Sequence, residues 1–411
     1  MGRKVVVLAT LDTKGMEAFY IKNLLLEYGL EPIIFDLGIL DEPKAKPDVP
    51  REDILRELNI DPKEFAEGVK SGIIRRDEAI KTMGLGAGKV LNKMLRELGG
   101  VIGIGGNQGT AAASIAMKSL PLGIPKLLVS TVASGNIRPY IEYKDIMMMF
   151  SVSDLEFGPN TISKVILRNA VNAMAGMVLG YRGIDVYDSA KRIAITTLGS
   201  TGKLTKSCVE MLKKLNYEVV VFHASGAGGS AMEELIENGF FNAVLDLNLH
   251  ELVGEVIPED IYRPMKPRLT NAVKMGLPLI IAPGSINYLV FGPPESIPHR
   301  FLGRKTHYHN PYNTNVRLTQ EELLSVADHL NTKLVNARDN VVLILPLKGF
   351  SVLDREGGPL YEPGDDMKFI ERIEGKVSNA VKVMKINSNI NDLDVALNVI
   401  KYLNDLVRNS K

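Results

Sequence analysis

V-I-G-I-G-G-N-Q-G-T, residues 101–110, is the stretch around which the chain is organised. An apolar run, 101–104, enters a glycine cluster, and the small helix-forming run 111–117 leaves it. That order predicts strand, turn and helix N-terminus. Gly105, Gly106 and Gly109 let backbone N–H groups approach a ligand closely, and the helix N-terminus offers unpaired donors and the positive end of a dipole. Such a turn suits a phosphate, with Asn107 and Thr110 as side-chain contacts. The same two residues are also ordinary helix caps.

Working outward, residues 5–9 (V-V-V-L-A) form a continuous apolar run of the kind buried on both faces of a parallel sheet. It leads into T-L-D-T-K-G-M-E, residues 10–17, then a helix closed by Gly29, then a strand at 32–35 ending on Asp36. The pattern is a right-handed βαβ unit. Thr10, Asp12, Thr13, Lys14 and Gly15 stand at the carboxyl end of the first strand, where open α/β sheets bind ligands. Asp36 follows about 20 residues on, the offset at which an acid takes a ribose hydroxyl in dinucleotide folds; strand-end acids with no such role are as common. Downstream, the apolar residues 126–129 run into S-T-V-A-S-G-N, which puts Ser134 and Gly135 at a third strand end. Three small-residue turns at the carboxyl edge of one sheet point to a nucleotide.

Residues 41–98 read as a helical insertion, with short helices at 51–58, 62–70 and 76–83. Its G-L-G-A-G-K, residues 84–89, looks like a phosphate loop but is not one. Met83 stands where the first glycine is required and Val90 where Ser or Thr is required. It is expected to be a turn before a helix over 90–98. Residues 145–152 (D-I-M-M-M-F-S-V) read as a further buried strand, its methionines filling core, and a long helix begins near Asn160. Residues 183–188 are the expected linker.

A second α/β pattern starts at Arg192: strand, T-L-G-S-T-G-K at 197–203, helix, strand, and H-A-S-G-A-G-G-S-A-M-E at 223–233. A-T-L-D-T-K-G resembles T-T-L-G-S-T-G, and G-G-N-Q-G-T-A resembles S-G-A-G-G-S-A, so duplication is one explanation and convergent loop chemistry another. Later strands are expected at 279–282, 341–345 and 381–386. A final helix is expected over 393–407, with an apolar stripe of Leu393, Leu397, Ile400, Leu403 and Val407. The expected fold is therefore α/β, two Rossmann-like doubly wound parallel-sheet domains facing a common cleft, with domains at 1–185 and 190–411.

Residues 291–317 hold too few periodic apolar residues for a regular element, but collect His299, Arg300, Arg304, Lys305, His307, His309 and Arg317. Arg forks and His donors in one loop suit a carboxylate or phosphate. His223, Ser225, Gly228 and Ser285, at neighbouring strand ends, join Arg300, Arg304, His307, His309 and Arg317 as candidates for a second ligand. No Asp, Glu or Cys completes a zinc set with His307 and His309, so no metal site is assigned to them. Cys208, the single cysteine, has no partner base in sequence, which leaves nucleophilic catalysis without support.

Composition sets the outer limits. The chain has 411 residues, 45% hydrophobic and 24% charged, with 49 basic and 48 acidic residues for a net charge of +1. That balance gives no electrostatic reason to expect nucleic acid or an anionic membrane as partner. No apolar run reaches the ~18 residues of a membrane span, and the first strand begins too early to leave room for a signal peptide. A reducing, cytoplasmic setting is the expectation.

The motifs together carry a resemblance. A-T-L-D-T-K-G-x-E, the glycine turn before G-T, S-T-V-A-S-G-N, M-M-F-S-V-S-D and F-H-A-S-G-A-G-G-x-A-M-E occur in one order. F-G-P-P-E-S-I-P-x-R-F, H-N-P, P-L-K-G-F-S-x-L-D and I-N-S-N-I-N-D complete it. The chain resembles, from Lys4 nearly to its end, the family of the amino-terminal ATP-binding half of the tomato mosaic virus resistance protein. The resemblance implies two Rossmann-like subdomains, an ATP site with magnesium on the first, and a homodimer. It also implies a barrel-type enzyme domain encoded downstream or separately, which is absent from this chain; the viral inhibition of the plant protein is not expected to be its own role. Asn107 and Gln108 depart from the Ser-Gly expected at that turn, which favours backbone over side-chain phosphate contacts, and residues 41–98 show no firm match. Two functions follow. One is an ATP-dependent enzyme or enzyme subunit acting on a small acid; the other is a nucleotide-responsive regulatory or assembly module without turnover. A nicotinamide enzyme is disfavoured, because Gly103, Gly105, Gly106 and Gly109 do not space as G-x-G-x-x-G.

Overall fold

The computed structural model describes residues 4–181 and 191–409, and the chain divides into two compact units, Met1–Asp185 and Val186–Lys411. The linker expected at 183–188 lies outside the described residues.

In the first unit β1 (Lys4–Ala9), α1 (Leu11–Glu27) and β2 (Glu31–Asp36) are followed by α2 (Arg51–Arg56), α3 (Pro62–Ser71) and α4 (Arg76–Lys93). Then come β3 (Leu98–Gly105), α5 (Asn107–Lys118), β4 (Lys126–Ser130), α6 (Arg138–Ile141), β5 (Met147–Phe150) and α7 (Thr161–Gly180). All pairings are parallel, in the order β2-β1-β3-β4-β5. The two-residue period of a strand explains the apolar run in β1. Val5, Val7 and Ala9 pack with α1 and α7 on one face, while Val6 and Leu8 pack with α2, α4 and α5 on the other.

Three local expectations change. Residues 84–89 lie inside α4 rather than in a turn. A side chain at Gly84 would meet Ile115, one at Gly86 would meet the carbonyl of Ile54, and one at Gly88 would meet Ser119. These glycines permit close helix packing against α5 and α2, so their spacing is structural. The strand expected to be buried at 145–152 is β5, an edge strand with Met147 and Phe150 exposed; apolarity alone does not reveal that a sheet ends there. By length and composition α7 is apolar enough to cross a membrane, contrary to the expectation. Its inner face, Leu167, Ala170, Val171, Met174 and Ala175, packs on the sheet as a core helix does.

The second unit opens with β6 (Arg192–Thr197), α8 (Gly202–Lys214), β7 (Glu218–His223), α9 (Ala227–Glu237), β8 (Ala243–Asp246), α10 (His250–Val256) and α11 (Asn271–Met275). It continues with β9 (Leu279–Ile281), β10 (Tyr288–Phe291), β11 (Thr306–Asn310), β12 (Asn313–Arg317) and α12 (Gln320–Lys333). β13 (Val341–Pro346), α13 (Pro363–Glu374), β14 (Lys382–Ile386) and α14 (Leu393–Asn409) complete it. Six strands form a parallel sheet in the order β14-β13-β9-β8-β6-β7, and β10, β12 and β11 form a separate antiparallel sheet. The stretch 291–317 is thus ordered by a β-hairpin, not an irregular loop; its cross-strand partner β10 lies outside the stretch except for Phe291, so local periodicity misses it. In α14 the buried stripe is Val395, Ala396, Val399, Ile400, Tyr402 and Leu403, while Leu393 and Leu397 are exposed. Ile400 and Leu403 face the core as expected and Val407 packs at its margin, but the stripe as a whole is turned by about a quarter turn from the expected one.

Each parallel sheet reverses its strand order beside its first strand: between β1 and β3 in one unit, between β6 and β8 in the other. Such switch points open a crevice at the carboxyl ends of the strands. The turns at 10–15 and 197–202 both follow a first strand, so that loop pair corresponds. The other pair does not, because 105–110 follows β3 beside the switch point and 225–229 follows the edge strand β7.

Candidate functional site

At the first switch point, the turns after β1 and β3 meet. A side chain at Gly109 would come within 3.6 Å of Thr10 Oγ1. Gly105 is obligatory, since a Cβ there would sit 2.6 Å from the Thr110 nitrogen. At Gly106, by contrast, the nearest atom to an added Cβ is Thr131 Oγ1 at 3.8 Å. Gly106 is the N-cap of α5 and supplies no side-chain cap, so the first-turn N–H groups of this helix lack the usual side-chain acceptor. Asn107 is exposed and accepts from the Tyr140 hydroxyl at 3.2 Å. Ser134 and Gly135 are exposed on the loop after β4. Thr10 and Thr13 share a hydroxyl contact of 3.1 Å. Lys14 is buried at a kink in α1, and Glu17 is buried less than one turn away with no well-formed hydrogen bond to either carboxylate oxygen among the described residues. Burial raises the Glu17 and Asp12 carboxyls above their ordinary range, Arg51 offsetting the effect at Asp12. Beside Asn107 and Gln108 lies a cavity of about 370 Å³, also lined by Arg76 and Lys81 of α4. Sequence reasoning did not connect these two cations with the glycine turn.

Three expected ligand residues here are committed to the fold. Asp36 is buried; its Oδ1 accepts from the Leu11 and Gly38 nitrogens at 3.1 and 2.9 Å, and its Oδ2 from Arg51 Nε at 2.7 Å. It braces the β1 and β2 turns rather than presenting a free carboxylate. The Thr110 hydroxyl is buried against Ser130 Oγ at 2.6 Å. Gly15 makes room for the passing chain, since a Cβ there would lie 3.0 Å from the Ala45 nitrogen.

The second unit's glycine turn is filled from within. Glu251 Oε1 accepts from the nitrogens of Gly226 and Gly229 at 2.6 and 3.1 Å, taking the position an anionic ligand would occupy. Its Oε2 accepts from Arg268 Nε at 2.6 Å, and the same buried guanidinium donates to Glu233 at 2.7 Å and to both oxygens of Asp246 at 2.9 and 3.0 Å. Burial raises the carboxyls of Glu233 and Glu251, partly offset by Arg268. Ser225 and Gly228 therefore belong to a closed turn. The turn after β8 is closed as well: Asn248 Nδ2 donates to Thr201 Oγ1 at 2.9 Å and to Ser285 Oγ at 2.8 Å.

What stays open is a cavity of about 340 Å³ between the β6 and β7 strand ends and the β11–β12 hairpin. His223, His307 and His309 line it with Ser200, Tyr262, Tyr288, Asn313 and Asn315. Ser285 lies behind its wall at a φ of +55°, bonded through Oγ to Ser200 Oγ at 2.6 Å, and Ser200 reaches the Tyr288 hydroxyl at 2.9 Å. Behind these, His250 Nδ1 donates to the Ser285 carbonyl at 2.9 Å, and Nε2 faces Asp260 Oδ2 at 3.0 Å. Burial alone would lower the His250 pKa; Asp260 raises it above its ordinary value.

The three arginines expected to form an anion pocket do not line this cavity. Arg300 pairs with Glu259 at 2.6 Å and Arg304 with Glu322 at 2.6 Å, both guanidiniums stacking on Phe301. Arg317 is buried between Asp354 and Asp366 at 3.2 and 2.6 Å. Each cation has found a carboxylate distant in sequence, which local composition cannot disclose. Cys208 is buried, its thiol pushed up to about 12 by burial, so it is no ready nucleophile. Among the described residues, no three His, Cys, Asp or Glu side chains form a group able to hold a metal ion.

The same two units recur in known proteins. The family described as "Uncharacterised protein family (UPF0261)" matches through its N-terminal domain at residues 3–183 and its C-terminal domain at residues 190–407. A UPF0261 protein of Clostridium tetani is 38% identical over 412 residues, covering 98% of each chain. A UPF0261 protein of Rhizobium meliloti is 32% identical over 406 residues, covering 98% of this chain and 99% of its own. The ToMV resistance protein Tm-1(GCR237) of Solanum lycopersicum is 38% identical over 272 residues, 65% of this chain and 36% of the tomato protein. With both of its domains matched, and full-length relatives carrying the same description, this chain belongs to the UPF0261 family.

Proposed function

We propose that the chain binds ATP with magnesium at the first switch point and, as an enzyme or enzyme subunit, uses it to act on a small acid held by the second unit. One contrast carries this reading. The second unit closes its glycine turn with its own Glu251 carboxylate, whereas the turn at Gly106 leads into a helix without a side-chain cap and leaves space beside the backbone.

The donor set fits a polyphosphate. Backbone N–H groups at 106–109 would meet phosphate oxygens, with Lys14, Arg76 and Lys81 as nearby cations and the Thr10 and Thr13 hydroxyls as neutral partners. Magnesium is commonly held by one or two carboxylates together with the substrate phosphates, and Asp12 is the half-buried acid at this edge. Bound ATP supplies an activated phosphoryl or adenylyl group; the chain's own residues hold its phosphates and screen their charge. A homodimer is part of the same reading, supported by the exposed Met147 and Phe150 on edge strand β5 and by Ile162 and Val165 on α7. So are a cytoplasmic location and a separately encoded barrel-type enzyme as partner.

Calorimetry with ATP and magnesium tests the nucleotide site. Lys14→Ala and Gly106→Val should each weaken binding at least about tenfold, roughly 1.4 kcal/mol. Unchanged affinity in both would remove the site. Light scattering that reports a monomer across micromolar concentrations would remove the dimer.

A further inference from the structure

We propose that the hairpin-covered cavity of the second unit binds a small hydroxylated monocarboxylate with uptake of one proton, its carboxylate gripped by the histidines and its hydroxyl met by Ser200 and Tyr288. This deepens the small-acid half of the proposed function and does not depend on the nucleotide half.

Size and charge narrow the ligand. At about 340 Å³ the cavity lies near the lower end of small-molecule sites, too small for a dinucleotide. Among the described residues, no lysine, arginine, aspartate or glutamate lines it. A phosphate dianion would enter without a fixed countercharge, whereas a monocarboxylate needs a single proton on one imidazole to be neutralised.

The hairpin presents that imidazole. His307 and His309 alternate onto one face of β11, their ring centroids 6.0 Å apart, and His307 stands opposite Asn315 in the register. His223, at the end of β7, approaches from the sheet side. The other titratable groups facing these rings are Tyr262 and Tyr288. Burial holds His223 and His307 below their ordinary pKa, and His309 lowers His307 further. The free cavity therefore disfavours the charged form of His223 and His307, and an anion that favours it draws a proton in with it.

The opposite wall is polar and directed. Asn248 donates to Ser285 Oγ at 2.8 Å, and Ser285 and Ser200 share a hydroxyl hydrogen bond of 2.6 Å. Ser200 in turn shares one of 2.9 Å with the Tyr288 hydroxyl, so a hydroxyl pair stands at the wall to meet a ligand hydroxyl. Leu198, Val290, Val352 and Leu353 cover the carbon skeleton.

The protein has six histidines, so imidazole carbon–proton NMR spectra of the full chain can be assigned by single His→Gln variants. The test titrates pH without nucleotide, in the presence of glycerate, glycerol or inorganic phosphate. Glycerate should raise the midpoints of His223, His307 and His309 and leave His250, His299 and His329 in place. The double variant His307→Gln, His309→Gln should weaken glycerate binding at least tenfold with an unchanged melting temperature. Absence of a shift with glycerate, equal binding of glycerol, or equal or tighter binding of phosphate would each overturn the inference. A separate ATP titration of the same sample reports on the nucleotide half, so failure of one leaves the other standing or falling by its own result.

Discussion

Arg268→Met is the perturbation that most directly tests the closed turn of the second unit. The guanidinium is fully buried and holds three carboxylates: Glu251 at 2.6 Å, Glu233 at 2.7 Å and Asp246 at 2.9 Å. Methionine fills much of the volume and leaves the acids without a countercharge. Breaking a buried ion pair from one side costs about 3–5 kcal/mol. Three stranded carboxylates do not triple this, because Glu233 and Glu251 already sit above the ordinary carboxyl range through burial and can take up protons instead. For a unit of this size, about 2–4 °C per kcal/mol translates the loss into a melting point lower by roughly 6–20 °C. The pH dependence has a definite sign. A carboxyl whose folded pKa is raised makes folding less favourable as pH climbs above its unfolded value, so the deficit of the variant should be smallest near about pH 5 and larger near about pH 8. Urea denaturation followed by circular dichroism at both pH values measures it, with Arg268→Lys as the variant that keeps a charge but loses the fork. A loss under about 1 kcal/mol near pH 8, or a deficit equal at both pH values, would refute the argument that this arginine neutralises the filled turn.

The glycines give a paired test. Gly229→Ala would place a Cβ 1.7 Å from Glu251 Oε2 and should destabilise by several kcal/mol, whereas Gly106→Ala meets only Thr131 Oγ1 at 3.8 Å and should leave the melting point within a few degrees. His250 has a folded pKa raised above 6.5, so its contribution is fully present below that value and fades as pH rises through the folded pKa. The urea-midpoint deficit of His250→Gln should shrink correspondingly as pH is raised above about 6.5. Asp354 is pushed up to about 8 by burial and then by Asp366, with Arg317 acting in the other direction. Because the folded state keeps this proton, stability is lost as pH rises from about 4 to about 8. Asp366→Asn removes the like charge together with one partner of Arg317, so whatever its absolute stability, its urea midpoint should fall less over that interval than that of the native chain.

Sequence and tertiary structure divided the work along the reach of each interaction. Residues 5–9 and 193–195 announce strands covered on both faces, because a side-chain period of two with no polar position leaves no solvent face. The glycine turn at 105–109 was legible for the same local reason: strand, tight turn and helix N-terminus all lie within a dozen residues. Both doubly wound sheets follow from repeating such units under a right-handed crossover rule. Whether a legible turn is open or filled depends on partners far along the chain. Glu251 closes the turn at 226–229 from the first turn of α10, and Arg268 reaches it from an irregular segment. Arg51 engages Asp36 from the helical insertion. The loop 291–317 shows the division most plainly. Its charges were visible in order, but an arginine is satisfied by whichever carboxylate lies within a few ångströms, and Glu259, Glu322, Asp354 and Asp366 all come from other segments. His307 and His309 remain at the cavity because residues two apart on β11 share one face, and His223 reaches it from the end of β7. Sequence alone thus determined the elements and the turns that join them, which are set by contacts along a short stretch of chain. Only the folded chain decided which polar groups are already paired, since that depends on distances between segments the sequence does not order in space.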